Sequence, residues 1–203
     1  MYKQINLYSF IFVILLLFVS WPIIFSSEYF LYLMLISTGI ISFLAIFLGG
    51  DFQLKINKLE ATIIFWVTIL LYFLFWILNF IGGFFKFARE DIETIYHLLD
   101  NIDNIYIVIF GLALIGLFEE LIWRGFIAKY LIEKINSPFL AILLSSLLYA
   151  LVHIYTYNIT LIIAAFIIGF LLSFIYYITG KVSTTIYIHM IWTPLIFAIF
   201  PMR

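Results

Sequence analysis

The chain has 203 residues, 67% of them hydrophobic and only 10% charged, with a mean hydropathy of +1.23 and a formal net charge of −1. A soluble domain is about 25% charged, so 10 Lys and Arg with 11 Asp and Glu cannot cover a water-facing surface of this size. This excludes a cytosolic enzyme and a disordered chain, and the lack of a basic tract excludes a nucleic-acid binder. The composition predicts an all-α, polytopic transmembrane bundle in a lipid bilayer. Aromatics at 21% fit lipid-facing helices with interfacial anchors. With no Cys, disulfides, thiolate catalysis and Cys-based metal sites are excluded.

A bilayer-spanning helix needs about 20 apolar residues, and the chain offers seven such stretches. The first, 6–25, follows Lys3 in the manner of a signal peptide. Its apolar run is too long for one and no A-x-A site follows, so it reads as an uncleaved helix. The second is 29–50, ended by the polar stretch 51–60, and the third is 61–85. The most charged part of the chain comes next, 86–104. Its apolar residues Ile92, Ile95, Tyr96, Leu99 and Ile102 recur at helical spacing, which predicts an amphipathic helix lying on the membrane surface. The fourth span starts near 105 and continues as helix to about 134, where Asn136-Ser137-Pro138 breaks it. The fifth is 139–157. The sixth is 159–178, with the small residues Ala165, Gly169 and Ser173 four apart, a stripe that permits close helix packing. The seventh, 183–200, is interrupted by Pro194.

We divide the chain into N-terminal helices with the surface segment, 1–104, and the motif-bearing helices, 105–203, forming one integrated membrane domain. Seven spans place Lys3, Lys55, Lys58, Lys129, Lys134 and Lys181 on one side and Lys86, Arg89 and Arg203 on the other. The positive-inside rule then predicts a cytoplasmic N-terminus.

The fourth span carries Glu119, Glu120 and Arg124. Three charges at a helix centre cost about 7–10 kcal/mol on the insertion scale, and the Leu, Ile, Phe and Val residues between 105 and 122 return roughly 4–7. The helix therefore inserts poorly unless its charges are paired, hydrated or near one end. Glu120 and Arg124 are i,i+4 neighbours on one face. Glu119 points well away from Arg124 and has no partner on its own helix. The bland reading is a polar knot that only holds helices together. Two intramembrane histidines argue for more: His153, on a helical stripe with Ser146 and Tyr149, and His189, which shares a face with Thr193. His97, in the surface segment, reads as merely interfacial.

A carboxylate and two imidazoles beside water suit general-base hydrolysis, and His₂Glu is also a set that Zn²⁺ accepts. No H-E-x-x-H and no G-x-S-x-G occur. None of Asp51, Asp91, Asp100 and Asp103 lies well inside a span, so an aspartyl dyad is excluded.

At these residues the chain resembles the CPBP intramembrane proteases, also called Abi or type II CAAX prenyl endopeptidase-like proteins. Their signature is E-E-x-x-x-R on one helix, F-x-x-x-H on the next, and H-x-x-x-N or H-x-x-x-D on a later one. Here these read Glu119-Glu120-Leu121-Ile122-Trp123-Arg124, then Tyr149-Ala150-Leu151-Val152-His153, then His189-Met190-Ile191-Trp192-Thr193. The likeness covers about 105–200. It implies that Glu119 is the general base activating water for peptide-bond attack, that His153 helps hold that water, and that His189 stabilises the oxyanion with Thr193 assisting. Glu120 and Arg124 would be a supporting pair. The family has been described both as metalloproteases and as metal-free glutamate proteases. We take the metal-free reading, because no closed ligand set is evident; under the alternative, Glu119, His153 and His189 would bind Zn²⁺.

Two positions depart from the signature. Tyr149 replaces Phe and adds a hydroxyl. Thr193 replaces Asn with a shorter, differently aimed donor, and losing an oxyanion donor costs about 10²–10³ in rate. Depth is a further difficulty. His153 lies about 14 residues into the fifth span, roughly 21 Å, which places it deeper than Glu119 and His189.

The expected function is an intramembrane endopeptidase acting on a peptide or membrane-anchored protein, in peptide or bacteriocin processing or self-immunity. A composition rich in Ile and Phe suggests a bacterial cell membrane, where a prenylated CAAX substrate is not expected. The alternative is a non-catalytic immunity or scaffold protein that keeps the protease fold. A proton-relay transporter is disfavoured, since no inverted repeat and no discontinuous-helix signal occurs.

Overall fold

The computed structural model describes residues 4–202. It is all-helical, with no strand among the described residues. Several helices start where a polar side chain accepts from one of the first free amides. Asn6 caps α1 (Leu7–Phe25), and α2 (Phe30–Phe47) follows a short turn. Asn57 and Glu60 form a reciprocal capping box on α3 (Lys58–Gly82), with both bonds at 2.9 Å. Ser137 caps α7 (Pro138–Leu151), whose first residue is the proline favoured there. Asn158 caps α8 (Ile159–Thr179), and Gly180 ends that helix in the left-handed conformation, φ 64°.

Two helices are interrupted in ways that matter for the site. α5 (Ile105–Ile122) runs into a π-helical segment, Trp123–Ala128, and on into α6 (Lys129–Lys134), making one continuous rod. Such wide turns favour functional sites, and this one starts within the Glu-Glu-x-x-x-Arg motif. α9 (Val182–Pro194) gives way after Pro194 to a second π-helical segment, Leu195–Ile199. This is the distortion expected from that proline.

Among the described residues seven helical stretches are long and apolar enough to cross a membrane, and the chain is an integral membrane protein. Burial of the apolar window rises from 17% in α3 to 61% in the last span. α9 and α5 are thus the inner helices, and α1, α2, α3, α7 and α8 shield them with apolar outer faces. The small-residue stripe of α8 is buried, Ala165 and Ser173 with it, and Ser173 Oγ meets Ser145 Oγ of α7 at 3.5 Å.

At one end of the bundle the α2–α3 connection clamps onto α5, α6, α8 and α9. Asp51 N–H donates to Gly125 O at 2.8 Å, Lys129 Nζ meets Asp51 Oδ1 at 2.6 Å, and Tyr176 donates to Asp51 Oδ2 at 3.0 Å. Lys181 pairs with Glu60 at 2.5 Å. These lysines thus share an end, as a seven-span alternation requires. Lys3 and Arg203, which also entered the charge tally, lie outside the described residues.

The amphipathic segment differs from expectation in extent. Its helix, α4, spans Lys86–His97 and stops well short of residue 104. It packs its apolar face on the bundle, with Ala88 and Tyr96 buried. The reason is a set of polar anchors. Asp91 Oδ2 accepts from Thr160 N at 2.9 Å and its carbonyl from Asn158 Nδ2 at 2.7 Å, at the start of α8. Tyr96 donates to Ile196 O at 2.7 Å and accepts from Met202 N at 2.7 Å. His97 is exposed and pairs with Asp100 at 2.5 Å, away from the site.

Candidate active site

The site is built where α5 and α9 cross. Gly116, one turn before Glu119, permits the close approach. A Cβ there would stand 3.1 Å from the His189 carbonyl carbon, so a larger residue would push α9 away. Glu119, Glu120, Arg124, Tyr149, His153, His189 and Thr193 are all buried.

The four charged or chargeable groups form a chain. Arg124 Nη1 grips Glu120 Oε1 at 2.6 Å, both side chains almost wholly enclosed. The same Oε1 meets His189 Nδ1 at 2.8 Å. On the other side of the ring, His189 Nε2 stands 3.8 Å from Glu119 Oε2. Arg124 Nη2 donates to Gly169 O at 3.1 Å on α8, which ties the pair to a third helix. A buried carboxylate and guanidinium are tolerable only with this degree of pairing. Glu120 therefore does more than pair with Arg124 along one helix. It also sets the orientation of the His189 ring. The link runs between residues 69 apart, so no spacing rule reveals it.

Glu119, unpartnered on its own helix, finds its partner on α7. Tyr149 donates to Glu119 Oε2 at 2.9 Å. Trp123 meets the Tyr149 ring edge to face at 4.9 Å, and Arg124 lies 5.1 Å from the ring centroid.

His153 requires two corrections. It is not on a helical stripe with Ser146 and Tyr149, because α7 ends at Leu151 and His153 sits in the turn before a short 3₁₀ segment, Ile154–Thr156. Its Nδ1 pairs with Tyr149 O at 2.9 Å, and its ring packs against Phe25 of α1 at 5.4 Å. Nor is it too deep. The α5–α6 rod ends at Lys134 and α7 begins at Pro138. Glu119 and His153 are each 15 residues from that hairpin (134 − 119 and 153 − 138), about 22 Å of helix in both arms. The hairpin extends beyond the end where Gly125 lies near Val182, at 3.6 Å from its would-be Cβ. Depths counted from separate span ends missed that overhang.

Glu119, Tyr149, His153, His189 and Thr193 line one cavity of about 370 Å³, otherwise almost wholly apolar. The apolar face of α4, including Ile92 and Ile95, forms another of its walls. Thr193 Oγ1 engages no hydrogen-bond partner among the described residues. Among the described residues no group of three His, Asp or Glu stands together as metal ligands. Of the histidines, both Nδ1 atoms are engaged, by Glu120 and by the Tyr149 carbonyl.

Residues 101–195 match a family model described as type II CAAX prenyl endopeptidase Rce1-like. No curated protein and no solved structure matches the chain.

Proposed function

We propose that the protein, whose residues 101–195 match the type II CAAX prenyl endopeptidase Rce1-like family model, is an intramembrane endopeptidase that hydrolyses a peptide bond with water activated by Glu119. The observation that carries this reading is the convergence of Glu119, His153 and His189, from three separate spans, on a single apolar cavity. An unneeded carboxylate in such a setting is expensive, and a carboxylate facing imidazoles across room for water is what general-base hydrolysis uses.

In this mechanism Glu119 takes a proton from water as the water oxygen bonds to the scissile carbonyl carbon. The carbonyl oxygen becomes an oxyanion, stabilised by the Nε2–H of His189 with Thr193 assisting. His153 holds the attacking water through its Nε2. Glu119 then gives its proton to the departing amine nitrogen as the C–N bond breaks, so the base is regenerated. His189 must carry protons on both nitrogens to bond Glu120 and donate to the oxyanion. In that form its charge and that of Arg124 offset both glutamates, and the cluster is neutral. Catalysis proceeds without metal. The substrate is a peptide or membrane-anchored protein with apolar residues at the cut, in a bacterial membrane, in peptide or bacteriocin processing or self-immunity.

The test is cleavage of a library of fluorogenic apolar peptides by the purified protein in detergent, with products located by mass spectrometry. Glu119→Gln should lose about 10²–10⁴ in rate, the usual contribution of a positioned base. Wild-type cleavage by Glu119→Gln would overturn the assignment. Loss of cleavage on exhaustive chelation, restored by Zn²⁺, would overturn the metal-free mechanism. The unpartnered hydroxyl of Thr193 favours a second reading, a non-catalytic immunity or scaffold protein. That reading predicts no cleavage of any peptide and full protective function in Glu119→Gln.

A further inference from the structure

We propose that Tyr149 is a positioning residue for Glu119: its hydroxyl holds one carboxylate oxygen so that the other is presented to the cavity. This rests on Glu119 acting as the base.

The Tyr149 ring is constrained before its hydroxyl is considered. Trp123 lies against it at 4.9 Å and the Arg124 guanidinium at 5.1 Å. On α8, Gly169 leaves just enough space, since a Cβ there would stand 3.0 Å from Tyr149 Cδ1. His153 meets the same ring edge to face at 5.7 Å. A ring held on these sides has one place to put its hydroxyl, 2.9 Å from Glu119 Oε2. A buried phenol needs a partner, and a carboxylate is a strong one, because charge-assisted bonds are roughly twice as strong as neutral ones.

The consequence lies in what the bond leaves free. Oε2 is held by Tyr149 and is also the oxygen nearest His189 Nε2, at 3.8 Å. Oε1 accepts from no group among the described residues, and Glu119 lines the cavity. One oxygen is thus restrained and the other is available to take a proton. A glutamate has three rotatable bonds, and a base displaced by about 1 Å loses up to 10²-fold in rate. Without the hydroxyl, Glu119 would keep only His189, beyond hydrogen-bond distance.

The experiment uses the full chain in detergent and two readouts. The first is the labelling rate of Glu119 by dicyclohexylcarbodiimide, an apolar reagent for buried carboxyls, located by mass spectrometry with Glu120 as internal reference. The second is kcat and KM for a cleavable apolar peptide. Tyr149→Phe keeps the ring and removes only the donor. Labelling of Glu119 should rise about tenfold relative to Glu120, as expected when a charge-assisted bond is released. The variant should lose about tenfold in kcat with KM unchanged. Replacing Tyr149 by 4-aminophenylalanine restores an N–H donor at the same ring position and should return both values toward wild type. Unchanged labelling in Tyr149→Phe overturns the proposal whatever kcat does, and so does a rise that 4-aminophenylalanine fails to reverse. Either result leaves Glu119 as the base, whereas wild-type cleavage by Glu119→Gln removes both. The labelling readout needs no substrate.

Discussion

His189 and Glu120 share a hydrogen bond, Nδ1 to Oε1 at 2.8 Å, on the same carboxylate oxygen that Arg124 holds at 2.6 Å. A salt bridge within the α5–α6 rod thereby becomes the mount for an imidazole on α9. Orientation of a histidine by a buried carboxylate is a recurring device, because the bond fixes both the tautomer and the ring plane. Glu120→Gln keeps the volume but weakens the mount. We expect peptide cleavage to fall about 10–100-fold, the loss typical of removing a histidine's orienting partner. Circular dichroism should show the helical content unchanged.

Arg124 answers to stability more than to chemistry. Its guanidinium joins Glu120 on α5 to the Gly169 carbonyl on α8. Arg124→Ala leaves a buried carboxylate without its counter-charge, which costs about 3–5 kcal/mol. Thermal unfolding in detergent should show a large drop in the midpoint. Arg124→Lys should not restore it, because a single ammonium cannot span both acceptors.

Thr193 lines the cavity, and its buried hydroxyl has no partner among the described residues. Asn at this position would extend a donor farther into the site. If residue 193 assists the oxyanion, Thr193→Asn should raise kcat, by up to the 10²-fold or so that one oxyanion donor contributes. An unchanged kcat with a folded variant would remove residue 193 from the reaction.

Tyr96 joins α4 to the last span through Ile196 O and Met202 N, both at 2.7 Å. Tyr96→Phe removes one donor and one acceptor from a buried position and leaves a carbonyl and an amide in need of partners. At about 1–3 kcal/mol per unsatisfied group, α4 should open more often. Amide hydrogen exchange across Lys86–His97 should accelerate, while exchange in α5 and α9 stays slow.

Much of the architecture is legible in the chain because a bilayer imposes it locally. A run of about 20 apolar residues spans wherever it stands, so the seven spans follow from hydropathy. The Glu120–Arg124 pair is equally local, an i,i+4 contact along one rod. Such periodicity failed at the ends of elements. It carried α7 through His153, where the helix had already stopped at Leu151. It carried the amphipathic helix to residue 104, where α4 had already stopped at His97.

What the sequence alone determined is the scarcity of charge and its location: a membrane protein with Glu119, Glu120 and Arg124 inside one span and a histidine in each of two others. Only the tertiary structure decided who pairs with whom. Glu119 meets Tyr149 and Glu120 meets His189 across 30 and 69 residues. Those bonds depend on how closely helices approach and at what relative depth. Gly116 sets that approach, and the overhang of the α6–α7 hairpin sets that depth. Both are relations between helices, and hydropathy and periodicity describe each helix only by itself.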